Sequence, residues 1–413
     1  MTIIELSELQ FKNYAKIHSA RNIYQTIEYA NLMEKQGYKK LYLGLSDEDN
    51  NVMAATLILE QEKNKFKIGY APGGFLIDFT NLDLLKNFTN TLKSYLDNKK
   101  YVYLRLNPHA SYKIFDKYDN IIYFNDNLIN DMKNLGYQHL GFNNTFDRFP
   151  VVLITNSNTK DIYNSFNYNT KRNINKASLR GISIHKGNQS NIDLFYSFMR
   201  KKDKTDIEEY KDYFKYFNNH NNKFELYFAK IDPKTYINNY RYLLKEEDKK
   251  NDELNNLMQD MNVIKTISLI NKKMTSDKKI TSYNNEIIKA TDLYRKYPDG
   301  IVIGTIGILR NNREVYFLYE ASDDNFKQFY SSYLIKWEVM KKYLNEGYTI
   351  FNLGNISPNR GKDNNPYYGL YLSKIGFNAN IYELPGEFDL VINKILYKVF
   401  TTFKNKWWNK ESY

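Results

Sequence analysis

Between residues 237 and 297 the chain carries its most regular pattern. Ile280, Tyr283, Ile287, Ala290, Tyr294 and Tyr297 follow one another at alternating spacings of three and four, the spacing of a heptad seam. Leu254, Leu257, Met261 and Ile264 offer a matching seam upstream. KEEDKKNDE (245–253) is polar on every side, so the first helix is expected to project into water. Polar residues near 271–279 mark the expected reversal. The pattern predicts an antiparallel helical hairpin, each arm about 25 residues and roughly 40 Å long at ~1.5 Å per residue. It interrupts a region that otherwise reads as strands.

On both sides of that hairpin, strand and helix patterns alternate. LYLGLS (41–46) and VMAATLILEQ (52–61) read as strands joined by a polar turn at Asp47–Asn51. FKIGYAPGGFLIDF (66–79) follows, with Gly73–Gly74 breaking the strand pattern. A helical LDLLKNFTNTLKSYLDNK (82–99) leads to the strand YVYLRLNP (101–108), and a smaller alternation closes with LGFNNTFDRFPVVLI (140–154). Downstream, the segment 165–180 reads as a helix entering GISIHKG (181–187), with helices over 191–219 and a strand at FELYFAKID (224–232). IVIGTIGIL (301–309) and REVYFLYEAS (313–322) predict a hairpin around Arg310–Asn312. A helix with Phe326, Tyr330, Tyr333, Leu334, Trp337 and Met340 on one face comes next, then the strand YTIFNLGN (348–355) and YYGLYLSKIGF (367–377). The order predicts an α/β (α+β) fold, a mixed sheet under helices, used twice.

Several chemistries are closed to this sequence. With no cysteine there is no disulfide, thiolate nucleophile or Cys-based metal site, which suits a reducing cytoplasm. His18, His109, His139, His185 and His220 lie far apart without ligand spacing, so no metal is expected. No apolar run approaches the roughly 20 residues that span a bilayer, and MTIIELSELQ is no signal peptide, so a soluble intracellular protein is expected. A P-loop, a G-x-S-x-G elbow and a dinucleotide fingerprint are missing. So is the Gly-rich turn that cradles the pyrophosphate of acyl-CoA in N-acetyltransferases.

A formal net charge of +12 favours a polyanionic partner, or serves solubility alone. NTKRNINKASLRG (169–181) concentrates Lys171, Arg172, Lys176 and Arg180 with no acid among them. On a helix Arg172, Lys176 and Arg180 share one face, to meet phosphates or simply to be solvated. LYKVFTTFKNKWWNKESY (396–413) interleaves Lys398, Lys404, Lys406 and Lys410 with Phe400, Phe403, Trp407 and Trp408. Such a segment suits an anionic leaflet. It reads equally well as a terminal helix packed on the globule.

Taken in order, IYQTIEYANL, LRLNP, KRNINKASLRG, the hairpin, YFLYEASDDNF, FNLGN and GLYLSKIGF leading to PGEFDLVINKILY span essentially the whole chain. This series resembles the Fem-type (FemABX, MurM-like) peptidyltransferases of peptidoglycan bridge synthesis. The resemblance implies two acetyltransferase (GNAT)-like subdomains in one globule with an inserted antiparallel coiled-coil arm. The expected ranges are 1–155 for the first subdomain, 156–236 and 298–385 for the second, 237–297 for the arm and 386–413 for a C-terminal basic–aromatic helix. It implies an aminoacyltransferase using aminoacyl-tRNA as donor and a lipid-linked or UDP-linked peptidoglycan precursor as acceptor. No cofactor, no metal and no DNA are expected. Lys374 matches the family lysine that stabilises charge near the reacting ester. A lone lysine among the apolar residues of YLSKIGF must in any case be paired or aimed into a cavity. Tyr319 matches an aromatic residue of the acceptor channel, and Tyr213 a tyrosine near the precursor phosphates. Departures accompany these matches: Met33 replaces a common lysine, Glu209 an arginine, Gly73–Gly74 an Arg-Gly, and Asn107 the Asp of a D-P pair. Lys35 and Lys211 are the nearby substitutes, and Asn107 remains a substrate-binding candidate. Two variants stay open: an immunity factor that alters the bridge by the same reaction, and an RNA-binding protein without catalysis.

Overall fold

The computed structural model describes residues 1–63, 65–142, 148–202, 205–260, 264–361 and 365–402. Strand β1 (Thr2–Glu5) is followed by helices α1 (Glu8–Ile17) and α2 (Ile27–Lys35), then the meander β2 (Lys39–Ser46), β3 (Val52–Lys63) and β4 (Phe66–Ala71). Helix α3 (Leu82–Asn98) crosses over to β5 (Tyr101–Leu106). Local signals define these helices. Ser7 and Gln10 close a capping box on α1, and α3 starts at the Asn81 cap and buries Leu85, Phe88, Leu92 and Leu96 on one face. A connecting stretch holds β6 (Lys113–Phe115), β7 (Ile121–Phe124), α4 (Leu128–Asn134), β8 (Tyr137–His139), β9 (Pro150–Ile154), α5 (Thr159–Ser165) and α6 (Tyr168–Leu179).

The same order then recurs. Strand β10 (Ile182–Lys186) leads to α7 (Ile192–Met199), α8 (Ile207–Tyr216) and β11 (Asn222–Ile231). Helices α9 (Pro233–Gln259) and α10 (Ile267–Lys296) are inserted before β12 (Ile301–Asn311) and β13 (Glu314–Ser322). Helix α11 (Ser331–Asn345) crosses over to β14 (Ile350–Asn355), followed by α12 (Tyr368–Ile375), β15 (Asn380–Glu383), β16 (Phe388–Val391) and α13 (Lys394–Thr402). Among the described residues each half has one parallel strand pair, β4 with β5 and β13 with β14, at the matching place in its sheet. The duplicated plan expected from the sequence is thus visible strand by strand.

The sheets do not follow the contiguous ranges expected. Their orders are β1-β2-β3-β4-β5-β16-β8 and β10-β11-β12-β13-β14-β9-β15-β6-β7. The first half therefore lends β6, β7 and β9 to the second sheet, and receives β16 from near the C-terminus. Beside β5, Arg105 meets Asp389 of β16 through two hydrogen bonds of 2.8 and 2.9 Å, and the Tyr397 hydroxyl donates to the same carboxylate. Asp389 is wholly buried, so this pairing fixes one register for the exchanged strand. A shared core closes the globule: Phe11, Tyr29 and Met33 pack in one cluster with Phe195, Tyr210 and Phe224.

The hairpin forms, with several differences from the pattern. The reversal lies between Gln259 and Ile267, where Thr266 caps α10, rather than near 271–279. That polar stretch runs inside α10, and its Ser276 is buried against Asn251, whose amide also donates to Asp277 at 2.8 Å. KEEDKKNDE is not solvated all round, because Glu247 and Asn251 face the partner helix, and Lys279 bridges to Glu247 at 3.3 Å. Leu257 and Ile264 are exposed instead of forming a seam, and Met261 lies outside the described residues. At the base, Tyr236, Ile237, Tyr240 and Ala290 belong to the core of the second half. No helix among the described residues is long and apolar enough to cross a membrane. Of the basic–aromatic C-terminus, Phe403, Lys404, Lys406, Trp407, Trp408 and Lys410 lie outside the described residues; Lys398 is exposed on α13.

Candidate active site

Ladder pairing between β13 and β14 runs from Glu314–Ile350 to Tyr316–Asn352 and then stops. Just beyond, Gly354 adopts φ +78°, and a side chain there would meet the Lys374 ammonium at 3.1 Å and the Phe317 carbonyl at 3.2 Å. Glycine at this position is what lets Lys374 reach the mouth of the parallel pair. Helix α12 turns Ser373, Lys374 and Ile375 inward, leaving Lys374 only 6% exposed. Its Nζ donates to the Asn355 carbonyl at 2.8 Å.

A second lysine lies in the same region. Lys336, on α11, is 1% exposed and pairs with Glu320 of β13 at 2.6 Å. Strand parity alone would not bring Glu320 there. Gly307 faces Tyr319 and Ile308 faces Phe317, so Leu318 is an extra residue in the ladder. This bulge reverses the alternation, sending Tyr319 to the face of Tyr316 and Glu320 to the face of Phe317. Burial would raise the Glu320 carboxyl, yet Lys336, then Lys374 and Lys202, hold it below the usual carboxylate value. Sequence reading missed both residues. Lys336 carried a signal all the same, a lone lysine within YLIKWEVM like the one that singled out Lys374.

The predicted aromatic pair comes together on the opposite face of β13. Tyr319 packs edge-on against Tyr210 at 5.0 Å and Tyr213 at 5.8 Å, between β13 and α8. Burial, then Tyr213, pushes its hydroxyl well above the ordinary tyrosine value, so it stays a neutral donor. Lys35 ends α2 beside this cluster, but its ammonium is matched by Asp212 of α8 at 2.6 Å. Lys211 is likewise matched by Glu208. Met33 is core, and Glu209 sits close enough to Tyr319 for its charge to be felt.

Asn107 follows β5, in the first half. Its Oδ1 accepts the Gly73 N–H at 2.7 Å while Asn22 donates to the Gly73 carbonyl, so it pins the Gly73–Gly74 loop. The basic helix α6 divides. Its N-terminal end adjoins the lysine site: the Asn167 N–H donates to the Gly376 carbonyl after α12, and Arg172 lies by Tyr333, which also senses Glu320. Lys171 caps the Asn164 carbonyl, and Lys176 is half-buried further along. Arg180 departs from the expected phosphate-facing row. It grips Glu286 of the hairpin with bonds of 2.9 and 3.1 Å and donates to the Gln328 carbonyl. The acid it lacked in sequence arrives from 106 positions downstream.

A family model described as "FemAB family" matches residues 6–405. The chain belongs to the FemAB family. Aminoacyltransferase FemB of Staphylococcus epidermidis is 29% identical over 421 residues, covering 97% of this chain and 98% of the relative. Aminoacyltransferase FemA of the same organism is 26% identical over 388 residues, covering 89% and 91%. The crystal structure of FemX superposes with a TM-score of 0.73 at 18% identity, over 97% of this chain and 99% of that one, which establishes the shared fold. FemAB membership along nearly the whole length makes the chain an aminoacyltransferase.

Proposed function

We propose that this FemAB-family enzyme acts in the cytoplasm, moving an aminoacyl group from aminoacyl-tRNA to an amine of a lipid-linked or UDP-linked peptidoglycan precursor. The observation that carries this reading is the Lys374 ammonium, buried at the mouth of the β13–β14 pair. The donor ester is already activated, so no covalent enzyme nucleophile is needed. The amine nitrogen attacks the ester carbonyl carbon, a C–N bond forms, and the bond to the ribose oxygen breaks. The amine gives up a proton and the ribose leaves as its hydroxyl. As the carbonyl oxygen becomes an oxyanion, it draws hydrogen bonds from Lys374, because a charged oxygen accepts more strongly than the neutral Asn355 carbonyl. Tyr213 and Tyr319 would line the acceptor side, with Arg172 and Lys176 near phosphates.

Incubating the protein with charged tRNA and both precursors, followed by mass spectrometry, tests the reading. The acceptor should gain one aminoacyl residue, and Lys374→Ala should cut turnover roughly 100- to 1,000-fold while remaining folded. Binding of tRNA without any mass gain would instead favour the RNA-binding alternative.

A further inference from the structure

Strand β7 exposes all four of its residues: Ile121, Ile122, Tyr123 and Phe124 are 54, 56, 41 and 48% accessible. An uncharged apolar run of that length left in water marks an interaction site. β7 is the last strand of the nine-stranded sheet, so its outer edge meets no further strand among the described residues. Successive side chains point to opposite faces, so both faces of β7 are bare as well as its edge. The turn that joins it to β6 adds Tyr118, 74% exposed. That turn is anchored on both sides of α12. Asp119 pairs with Arg360, ahead of the helix, at 3.1 Å, and Lys117 donates to the Asn378 side chain, behind it, at 2.9 Å. Helix α12 turns Lys374 inward and leaves Leu370 exposed.

Another strand or a lipid surface could cover β7, and the geometry favours lipid. Ile114 faces Tyr123 and Phe115 faces Ile121, so Ile122 is an extra, bulged residue. A bulge interrupts the edge that a docking strand would need. Such a strand would also leave both faces of β7 wet, whereas a leaflet surrounds an exposed ribbon. The charges agree. Asp116 spends its carboxylate on the Tyr118 and Asn120 N–H groups of its own turn, at 2.8 and 2.9 Å, and Asp119 is taken by Arg360. Lys113 and Lys117 enter no ion pair among the described residues. Their ammoniums lie over the rings of Phe124 and Tyr118 at 5.0 and 5.3 Å, stems against apolar surface and charges outward. We propose that the β6–β7 ribbon docks on an anionic phospholipid leaflet, Ile121–Phe124 entering the headgroup region while Lys113 and Lys117 meet lipid phosphates. Docking there sets α12 beside the surface that presents a lipid-linked acceptor. That consequence rests on the transfer reading; the docking itself does not.

The test is sedimentation of the full-length protein with vesicles of equal parts phosphatidylglycerol and phosphatidylcholine, against phosphatidylcholine alone. Binding should favour the anionic vesicles and weaken as salt rises. Ile122→Asp should weaken it at least about tenfold. Lys113→Gln and Lys117→Gln should each weaken it roughly fivefold. Because the chain has no cysteine, Ile122→Cys takes a single environment-sensitive dye. Its emission should shift to the blue on anionic vesicles and not with inorganic phosphate. Vesicle binding that these substitutions leave intact, with an unshifted dye, overturns the proposal. A blue shift that grows with protein concentration in the absence of lipid also overturns it, in favour of strand pairing between two copies. Where Ile122→Asp does not fold, the lysine variants and the dye decide. Ile122→Asp should slow transfer to a precursor held in vesicles and leave transfer to the UDP-linked precursor unchanged. If the wild-type protein transfers to neither, the transfer reading fails, while vesicle binding still decides what the ribbon does.

Discussion

Glu314 opens β13 with a side chain 7% exposed. Burial raises its carboxyl to about 8, and the Tyr316 hydroxyl and the charge of Arg21 offset only part of that cost. The folded carboxyl therefore keeps its proton at neutral pH, whereas an unfolded one gives it up near its ordinary value of 4.5. The fold holds the extra proton, so this residue costs stability progressively as pH rises from 4.5 to about 8, and no more above that. Glu314→Gln, neutral throughout, should be more stable than the parent at pH 8 by roughly 2–4 kcal/mol and nearly equal to it at pH 4. Urea unfolding at both pH values checks this, and a difference independent of pH would contradict it. Nothing in REVYFLYEAS announces such a residue, because a glutamate beside Arg313 reads as the wet start of a strand. The same limit hid Glu320. Alternation along YFLYEAS puts it with Tyr316, and only the ladder with β12 reveals the extra residue at Leu318. That Lys374 is buried and hydrogen-bonded was legible because its argument is local, one lysine among the apolar residues of YLSKIGF.

Helices α9 and α10 work as two segments in one hairpin. Their base belongs to the second core through Tyr236, Tyr240 and Ala290, and Arg180 ties Glu286 to α6. Burial would raise the Glu286 carboxyl, but Arg180, Tyr236 and Lys289 hold it at about 2. At Asn251 the two helices meet through polar side chains, its amide donating to Ser276 and Asp277. Shortening the hairpin by joining Glu247 to Lys279 through a flexible turn should therefore leave a folded protein, melting within a few degrees of the parent. Joining Asn238 to Asp299 removes Tyr240, Glu286 and Ala290 together, and should cost at least about 3 kcal/mol or abolish folding. Thermal and urea melts of both deletions check the division; equal stability would refute it. The apolar spacing of Tyr283, Ile287, Ala290 and Tyr294 identified the base correctly as a seam. The upper contact escaped notice because polar residues at helical spacing look alike whether they face water or an amide across the way.

At the scale of the molecule, the two halves are held by exchange. A fragment of residues 1–155 would carry β6, β7 and β9 without the sheet they join, and would leave Arg105 buried without Asp389. Expressed alone it should show no cooperative unfolding transition, because an unpaired buried charge and an open β5 edge both oppose its sheet. A sharp transition in that fragment would mean that β16 is dispensable. The duplicated strand–helix order was readable from hydrophobic patterning, since each half repeats it almost element for element. Which sheet β9 or β16 would enter was not, because pairing between Arg105 and Asp389 leaves no trace in either local stretch.

That crossing also sets a clock for the newly made chain. Leu106 leaves the ribosome about 280 residues before its neighbour Phe388, a wait of roughly 15–60 s at ~5–20 residues per second. Throughout it β5 has a vacant edge, and the nascent first sheet needs a temporary occupant for that edge: its own connecting strands, a chaperone, or another copy emerging nearby. Substitutions that slow synthesis of the second half would lengthen the exposure without changing a single contact in the finished protein.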